Sequence, residues 1–320
     1  MSKRVFITGL GFVTPHGEDP VSVFERICRA ESAVQMVRSG TADLGSDVLL
    51  ARADFEPGDR IPKTQRIFMA RASQMAVVAA RAALESAGLL EEETGPADCG
   101  IYMGCGLGGS EVLQQGYRTY YVRRSRKGRP STVPLIMANG PASHISMRFG
   151  LRGPAHTYSI ACASSTVAIG EAFRAIRDGY LRRSLAGGAE AMLNDGTVAA
   201  WERLGVVATE HSDGPAASSR PFDLERSGFV LGEGAVVLVL EAADAASERG
   251  VEPVAEIVGY GASSDAHSLT EPSADGQEQA MVAALNDAAI DASAVGYINA
   301  HATGTPTGDP VEFEAVKRVF

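Results

Sequence analysis

The sequence is short of several features that would send its function elsewhere. Only four cysteines occur, Cys28, Cys99, Cys105 and Cys162, and no two form a CxxC pair. The six histidines do not fall at ligand spacing either. Neither a zinc site nor a disulfide framework is therefore expected, and the chain reads as a reduced, cytoplasmic one. No apolar run approaches the roughly 18 residues that a membrane span requires. The opening MSKRVFITGLGFVTPHG has too short an apolar run for a signal peptide and reads directly as a strand and turn. Positive charge is in deficit, with Lys+Arg at 29 against Asp+Glu at 39 and a net charge of −10, which argues against a general nucleic-acid binder. Low-complexity segments, linkers and short-period repeats are absent.

What is present is a globular composition, 45% apolar and 21% charged, in a chain long enough for one large domain or two ordinary ones. Glycine is abundant at 35 residues, which points to tight turns and close backbone approaches. Strands are expected over 4–14, 99–106, 156–161, 183–192, 232–242 and 295–300, with a second set of elements opening at 253–266. Helices are expected over 64–89, 164–178 and 275–290, and the chain ends in another helical pattern. Strands alternating with helices imply an α/β fold with buried, largely parallel sheets. The order reads as one complete unit up to about residue 250 and a second, over 251–320, that is cut short. One basic cluster, YRTYYVRRSRKGR (117–129), is either a solvated loop or a docking patch for an acidic partner.

Three stretches could carry chemistry. In SIACASSTVAIGEAFRAIRDG (159–179), Cys162 lies where a strand hands over to a helix. Unpaired N–H groups at a helix start favour thiolate over thiol and can hold a developing oxyanion. The alternative is a small buried cysteine in a tight turn. In NAHATGTPTGDPVEFEAVKRVF (299–320), His301 ends an apolar strand and enters a loop, where α/β sites sit. It could donate a hydrogen bond to a carbonyl or act as a base, with the Thr303 and Thr305 hydroxyls beside it. The alternative is a strand-end histidine bonded to backbone. In SRPFDLERSGFVLGEGAVVLVLE (219–241), Asp223, Arg226 and Glu233 are charges that can be buried only if paired, and they read as a network framing a site. GCGLGG (104–109) also matches the dinucleotide fingerprint GxGxxG. The basic residues 123–129 lie where a 2′-phosphate partner would, but the downstream segment is aromatic and basic, not a βαβ continuation.

Together these stretches, in this order and spacing, resemble the β-ketoacyl-acyl carrier protein synthases, and more closely the type II fatty-acid elongating enzymes and the polyketide ketosynthases. The opening RVFITGLGFVTPHG and VPLIMANGPASHISMRFGLRGPAHTYSIACASS (133–165) are similar too, so the resemblance covers essentially the whole chain. It implies a thiolase-like fold, layered αβαβα, of two similar halves, the second incomplete here. It implies a dimer, normally of identical chains, and an acyl carrier protein as partner. The implied reaction is a decarboxylative Claisen condensation, with no metal or organic cofactor and with substrates carried on phosphopantetheine. By matching position, Cys162 is the nucleophile and its N–H part of the oxyanion hole; His301 is the first of two active-site histidines. Thr303 and Thr305 match the loop along the pantetheine arm, and Glu312 matches the acid that pairs with an active-site lysine. A cysteine at 162 argues against a chain-length factor or a decarboxylating loading domain, where the family commonly has Gln. The family's second histidine, its lysine and a gating Phe belong to segments beyond residue 320. The expectation is a shortened copy of a normal synthase, in preference to a piece of a split enzyme or a degenerate homologue that keeps acyl transfer alone. A non-condensing acyltransferase and a non-catalytic partner subunit are the readings from other classes. Pocket depth is expected to depend on Met103, Ile136, Met137 and Phe229.

Overall fold

The computed structural model describes residues 3–38 and 46–320. Its elements, in chain order, are β1 (Val5–Val13), α1 (Pro20–Cys28), β2 (Gln35–Val37), β3 (Val48–Ala51), α2 (Lys63–Arg66), α3 (Arg71–Ser86) and β4 (Gly100–Gly104). Then follow α4 (Ser110–Tyr117), running into a π-helical turn at Arg118–Val122, α5 (Thr132–Ile136), α6 (Gly140–Phe149), β5 (Ala155–Tyr158), α7 (Ser164–Arg177), β6 (Arg183–Glu190) and α8 (Asp195–Leu204). The chain closes with β7 (Leu231–Gly232), β8 (Gly234–Ala242), α9 (Ala243–Glu248), β9 (Ala255–Ile257), α10 (Ala274–Ala288) and α11 (Gly308–Val319).

A six-stranded sheet in the order β5-β4-β6-β8-β1-β9 forms the centre, and β2-β3-β7 form a small second sheet. Side chains alternate between the two faces of the large sheet, as the pleat requires. Ile101, Met103, Leu185, Val237 and Val239 join α3 and α6 in one core. Their neighbours Tyr102, Ala186 and Leu240 join Ala168, Ala172, Phe173 and Ile176 of α7 in another. Helices thus cover both faces, which is why the strands read as continuous apolar runs.

The structure corrects three expectations. The central sheet is mixed: β4 pairs in parallel with β5 and β6, but β6–β8, β8–β1 and β1–β9 are antiparallel. Burial on both faces produces the same apolar run in either direction, so hydropathy cannot tell the two apart. The helix expected over 64–89 is broken between α2 and α3. There Ile67 and Phe68 face solvent, Met69 and Ala70 are buried, and Ala70 adopts an extended conformation to start α3. Residues 295–300 are not a strand. A strand needs a neighbouring ladder for its N–H and C=O groups. The one described strand of the second half, β9, is already paired with β1, and Tyr297 is 80% exposed.

The second half is nonetheless tied to the first. The Tyr260 ring packs against Gly170 of α7, where a Cβ would come within 2.3 Å of it. Arg174 stacks on the same ring, and Arg177 binds Asp287 at 2.8 Å. These contacts fix α10, and with it the loop that carries His301, relative to the helix that follows Cys162.

Candidate active site

Cys162 sits on a sharp turn between β5 and α7. Ala161 has a positive φ of 45°, an uncommon conformation for a residue with a side chain. The turn rests close against the sheet because β4 and β6 present glycines there. A Cβ on Gly104 would lie 2.4 Å from the Ser164 carbonyl carbon, and one on Gly188 would lie 1.9 Å from Ser165 Oγ. The first N–H groups of the turn are already committed: Ala163 N–H donates to the Ile160 carbonyl and Ser164 N–H to the Ala161 carbonyl. This narrows the expected helix-start donors. Of that group, the Cys162 N–H faces its own sulfur.

His301 comes to the same point from the second half. Its imidazole hydrogen-bonds the Cys162 thiol. That bond holds the thiol pKa below its ordinary value; burial opposes the shift, and the imidazolium charge and the Cys162 N–H add to it. The same bond raises the His301 pKa, again against burial. Each group favours the charged form of the other, which shifts the pair toward thiolate and imidazolium.

The loop behind His301 is held by two acids of α11. Glu312 accepts from the His301 N–H at 2.6 Å and the Ala302 N–H at 2.8 Å, with Ala302 at φ +50°. The carboxylate that matches a lysine partner in the resemblance is bound here to the backbone of the histidine itself. Asp309, 1% exposed, accepts from Gly304 N–H at 2.9 Å and Phe222 N–H at 2.6 Å. Thr303 Oγ1 donates to Asp309 at 3.4 Å and lies 3.0 Å from Thr305 Oγ1, which accepts from Gly308 N–H. Sequence reasoning missed Asp309. Its signal was an acid ahead of a proline at the head of a helix, immediately after the Thr–Gly loop.

The charges of 219–241 divide among three places. Arg226 donates to the carbonyls of Thr305 and Pro306 and faces Asp309, so it joins the two loops. Glu233, buried, takes two bonds from Arg71, at 2.7 and 2.8 Å, and borders the cavity beside Cys162. Asp223 departs from the expected buried network: half exposed, it accepts from Glu225 N–H and faces Arg220 in a local turn.

A cavity of about 840 Å³ opens beside Cys162. Ile169, Met192, Trp201, Val236 and a series of glycines line it, so its walls are apolar and small. The residues expected to set its depth are elsewhere. Met103 is in the core under α3, Ile136 lines a neighbouring cleft, Met137 is 50% exposed, and Phe229 reaches the cavity only through its edge-on contact with Trp201. The GCGLGG turn borders the same cavity. Its Gly106 and Leu107 N–H groups both donate to Glu190, at 2.8 and 3.0 Å. A protein carboxylate therefore occupies the donors that a pyrophosphate would need, which removes the dinucleotide reading. Among the described residues no group of three or more His, Cys, Asp or Glu is arranged to hold a metal, and no helix is long and apolar enough to cross a membrane.

Comparison with known proteins gives the family. Residues 2–246 match the family model "Beta-ketoacyl synthase, N-terminal domain" and residues 254–320 match "Beta-ketoacyl synthase, C-terminal domain". Nodulation protein E of Rhizobium sp. (strain N33) is 38% identical over 320 residues, covering 100% of this chain and 78% of that protein. The 3-oxoacyl-[acyl-carrier-protein] synthase 2 of Staphylococcus aureus (strain COL) is 34% identical, covering 100% of this chain and 77% of that one. Among solved structures, the ishigamide ketosynthase/chain length factor superposes with a TM-score of 0.90 at 30% identity, covering 100% of this chain and 78% of its own. Together with a layered α/β fold of thiolase type, they establish that the chain belongs to the β-ketoacyl synthase family, acyltransferases with a ketosynthase role in fatty-acid or polyketide biosynthesis.

Proposed function

We propose that this chain condenses an acyl group held on Cys162 with a malonyl group held on an acyl carrier protein. The pairing of the Cys162 thiol with His301 carries the reading. The thiolate attacks the thioester carbonyl of a carrier-bound acyl group; the new C–S bond forms as the carrier's C–S bond breaks, and the departing thiolate takes up a proton from solvent, so that His301 keeps its own. The Cys162 N–H holds the oxyanion of that step. Malonyl-carrier protein then loses CO2, and the electrons of the broken C–C bond form an enolate whose oxygen His301 stabilises by hydrogen bonding. Its carbon attacks the acyl–Cys162 carbonyl and expels the thiolate, which returns to its imidazolium partner. The product is a 3-oxoacyl group on the carrier. No metal or organic cofactor enters this sequence, since the thioesters arrive on the carrier's phosphopantetheine arm. Thr303 and Thr305 flank that arm, and Glu312 keeps His301 in register.

The carrier follows from the chemistry and from the Staphylococcus relative, whose name specifies an acyl carrier protein. The chain works in a dimer, with a second copy or with a chain length factor such as the one named with the ishigamide ketosynthase. Residues 1–250 supply the nucleophile and 251–320 the histidine. Intact-mass measurement after incubation with acyl-loaded carrier tests the first step. An acyl adduct that disappears in Cys162→Ala is expected; its absence on the folded chain overturns the proposal. Malonyl-carrier protein tests the second step. Release of CO2 with a 3-oxoacyl product is expected, and an acylated chain that never consumes malonyl groups would be a non-condensing acyltransferase.

A further inference from the structure

Ser164 has no part in the chemistry described above, yet it touches the backbone on both sides of the strained residue before the nucleophile. It is 5% exposed. Its Oγ accepts from the Ile160 N–H at 2.8 Å and donates to the Ala161 carbonyl at 2.7 Å. A serine at a helix start ordinarily caps the helix, its oxygen accepting from N–H groups two or three residues ahead. Ser164 bonds backward, to residues three and four before it, so it serves the turn and not the helix. Ala161 is held at φ +45°, a conformation that persists only where its surroundings over-determine it. The Ser164 N–H donates to the same Ala161 carbonyl at 3.3 Å, and Ala163 N–H to Ile160 at 3.1 Å. Of the three bonds closing this turn on Ala161 and Ile160 carbonyls, the hydroxyl makes the shortest, and it alone engages the Ile160 N–H.

We infer that Ser164 is a positioning residue: its hydroxyl clasps the 160–161 backbone in the left-handed turn that aims the Cys162 sulfur at His301 and the acyl cavity. The inference rests on the reading of Cys162 as the acyl acceptor. Without the hydroxyl, the Ile160 N–H loses its acceptor and the turn keeps only its longer N–H bonds. Ala161 is then free to relax toward negative φ, which swings Cys162 away from the imidazole. Reactivity falls because the attack geometry is lost, since small misplacements of a reacting atom are costly.

The test follows Cys162 alkylation by iodoacetamide across pH in the folded chain, beside acylation from acyl-carrier protein. In Ser164→Ala the alkylation midpoint is expected to move up and acylation to slow by about ten-fold. Ser164→Thr, which keeps a hydroxyl, restores both. A role in stability alone would lower the melting temperature and leave the midpoint in place. A folded Ser164→Ala with the parent's midpoint and acylation rate overturns the inference. Should Ser164→Ala not fold, Ser164→Ala combined with Ala161→Gly decides: glycine takes a positive φ without strain and so removes the load on the hydroxyl, and the double variant is expected to fold and to alkylate and acylate near the parental rates, whereas a folded double variant that stays slow at both overturns the inference. The alkylation arm needs no acyl carrier, so a parent chain that alkylates normally but never acylates removes the acyl-acceptor reading while this geometric test still stands.

Discussion

At the scale of single residues, Cys162 and His301 lie together and each changes the other. The bond between Cys162 and His301 lowers the thiol pKa and raises that of the imidazole. An ordinary cysteine thiol titrates near about 8.5. Alkylation requires the thiolate, so its rate rises with pH through the thiol's own pKa. For Cys162 that rise is therefore expected at lower pH than for an ordinary thiol. His301→Ala removes the largest cause of the depression, leaving burial to push the other way, so the midpoint moves up in pH. Iodoacetamide kinetics from acidic to alkaline pH measure it. A midpoint unchanged by His301→Ala would show that the imidazole does not control the thiol. The other two thiols that burial affects give an internal contrast: Cys99 and Cys105 are pushed up to about 12 and stay unreactive throughout. In sequence Cys105 and Cys162 look alike, each a lone cysteine between small residues after an apolar run. What separates them is the partner from the far end of the chain.

At the scale of elements, the helix that follows Cys162 sits where it does because two strands of the sheet offer it no side chain. Adding a methyl at Gly104 would place carbon 2.4 Å from backbone atoms of Ser164 and Ser165. Backbone cannot rotate aside as a side chain can, so α7 has to shift bodily. Gly104→Ala is expected to cost about 1–3 kcal/mol or more and to slow Cys162 alkylation as well, because the turn moves with the helix. Gly128→Ala is the control: nothing lies within 4 Å of its Cβ, and its effect should stay within about 0.5 kcal/mol. Denaturant titration of both variants settles the comparison; equal midpoints would refute the close-approach argument. This scale also shows what the amino-acid sequence makes legible. The boundaries of β1, α7 and β8 follow from apolar runs and glycine, because burial on both sheet faces leaves a strong local signal. Strand direction does not follow, since the pleat has no polarity in hydropathy. The break at Ile67–Ala70 and the unpaired segment 295–300 depend on what lies alongside, which no window of sequence contains. In the site, Cys162, His301 and Glu312 stand in recognisable motifs. Ser164 and Asp309 act through backbone N–H and C=O groups, and their roles appear only when those groups have positions.

At the scale of the whole molecule, the proposed carrier raises a question of charge. The chain carries a net charge of −10, so its mean field repels an acidic carrier protein. Arg123, Arg124, Arg126, Lys127 and Arg129 are all exposed in the one basic loop, beyond the π-helical turn. Arg129 differs from the rest, since its guanidinium donates to the Ile67 carbonyl at 2.5 Å and so fastens the loop to the turn before α3. That turn presents Ile67 and Phe68, at 51% and 53% exposure, next to the basic residues. A cationic loop anchored beside exposed apolar side chains is suited to an acidic protein surface, with charge guiding the approach and apolar contact slowing departure. Replacing Arg123, Arg124 and Arg126 by alanine, with Arg129 kept so that the loop stays fastened, should raise KM for the carrier several-fold. It should leave kcat and turnover of a small acyl thioester unchanged, because the cysteine and histidine are untouched. Screening provides an independent reading. Exposed charges lose most of their reach beyond about 8 Å at physiological salt. Raising salt should therefore increase KM of the parent and have little effect on the triple variant. A triple variant whose carrier KM and salt response both match the parent would move the docking surface elsewhere on the molecule.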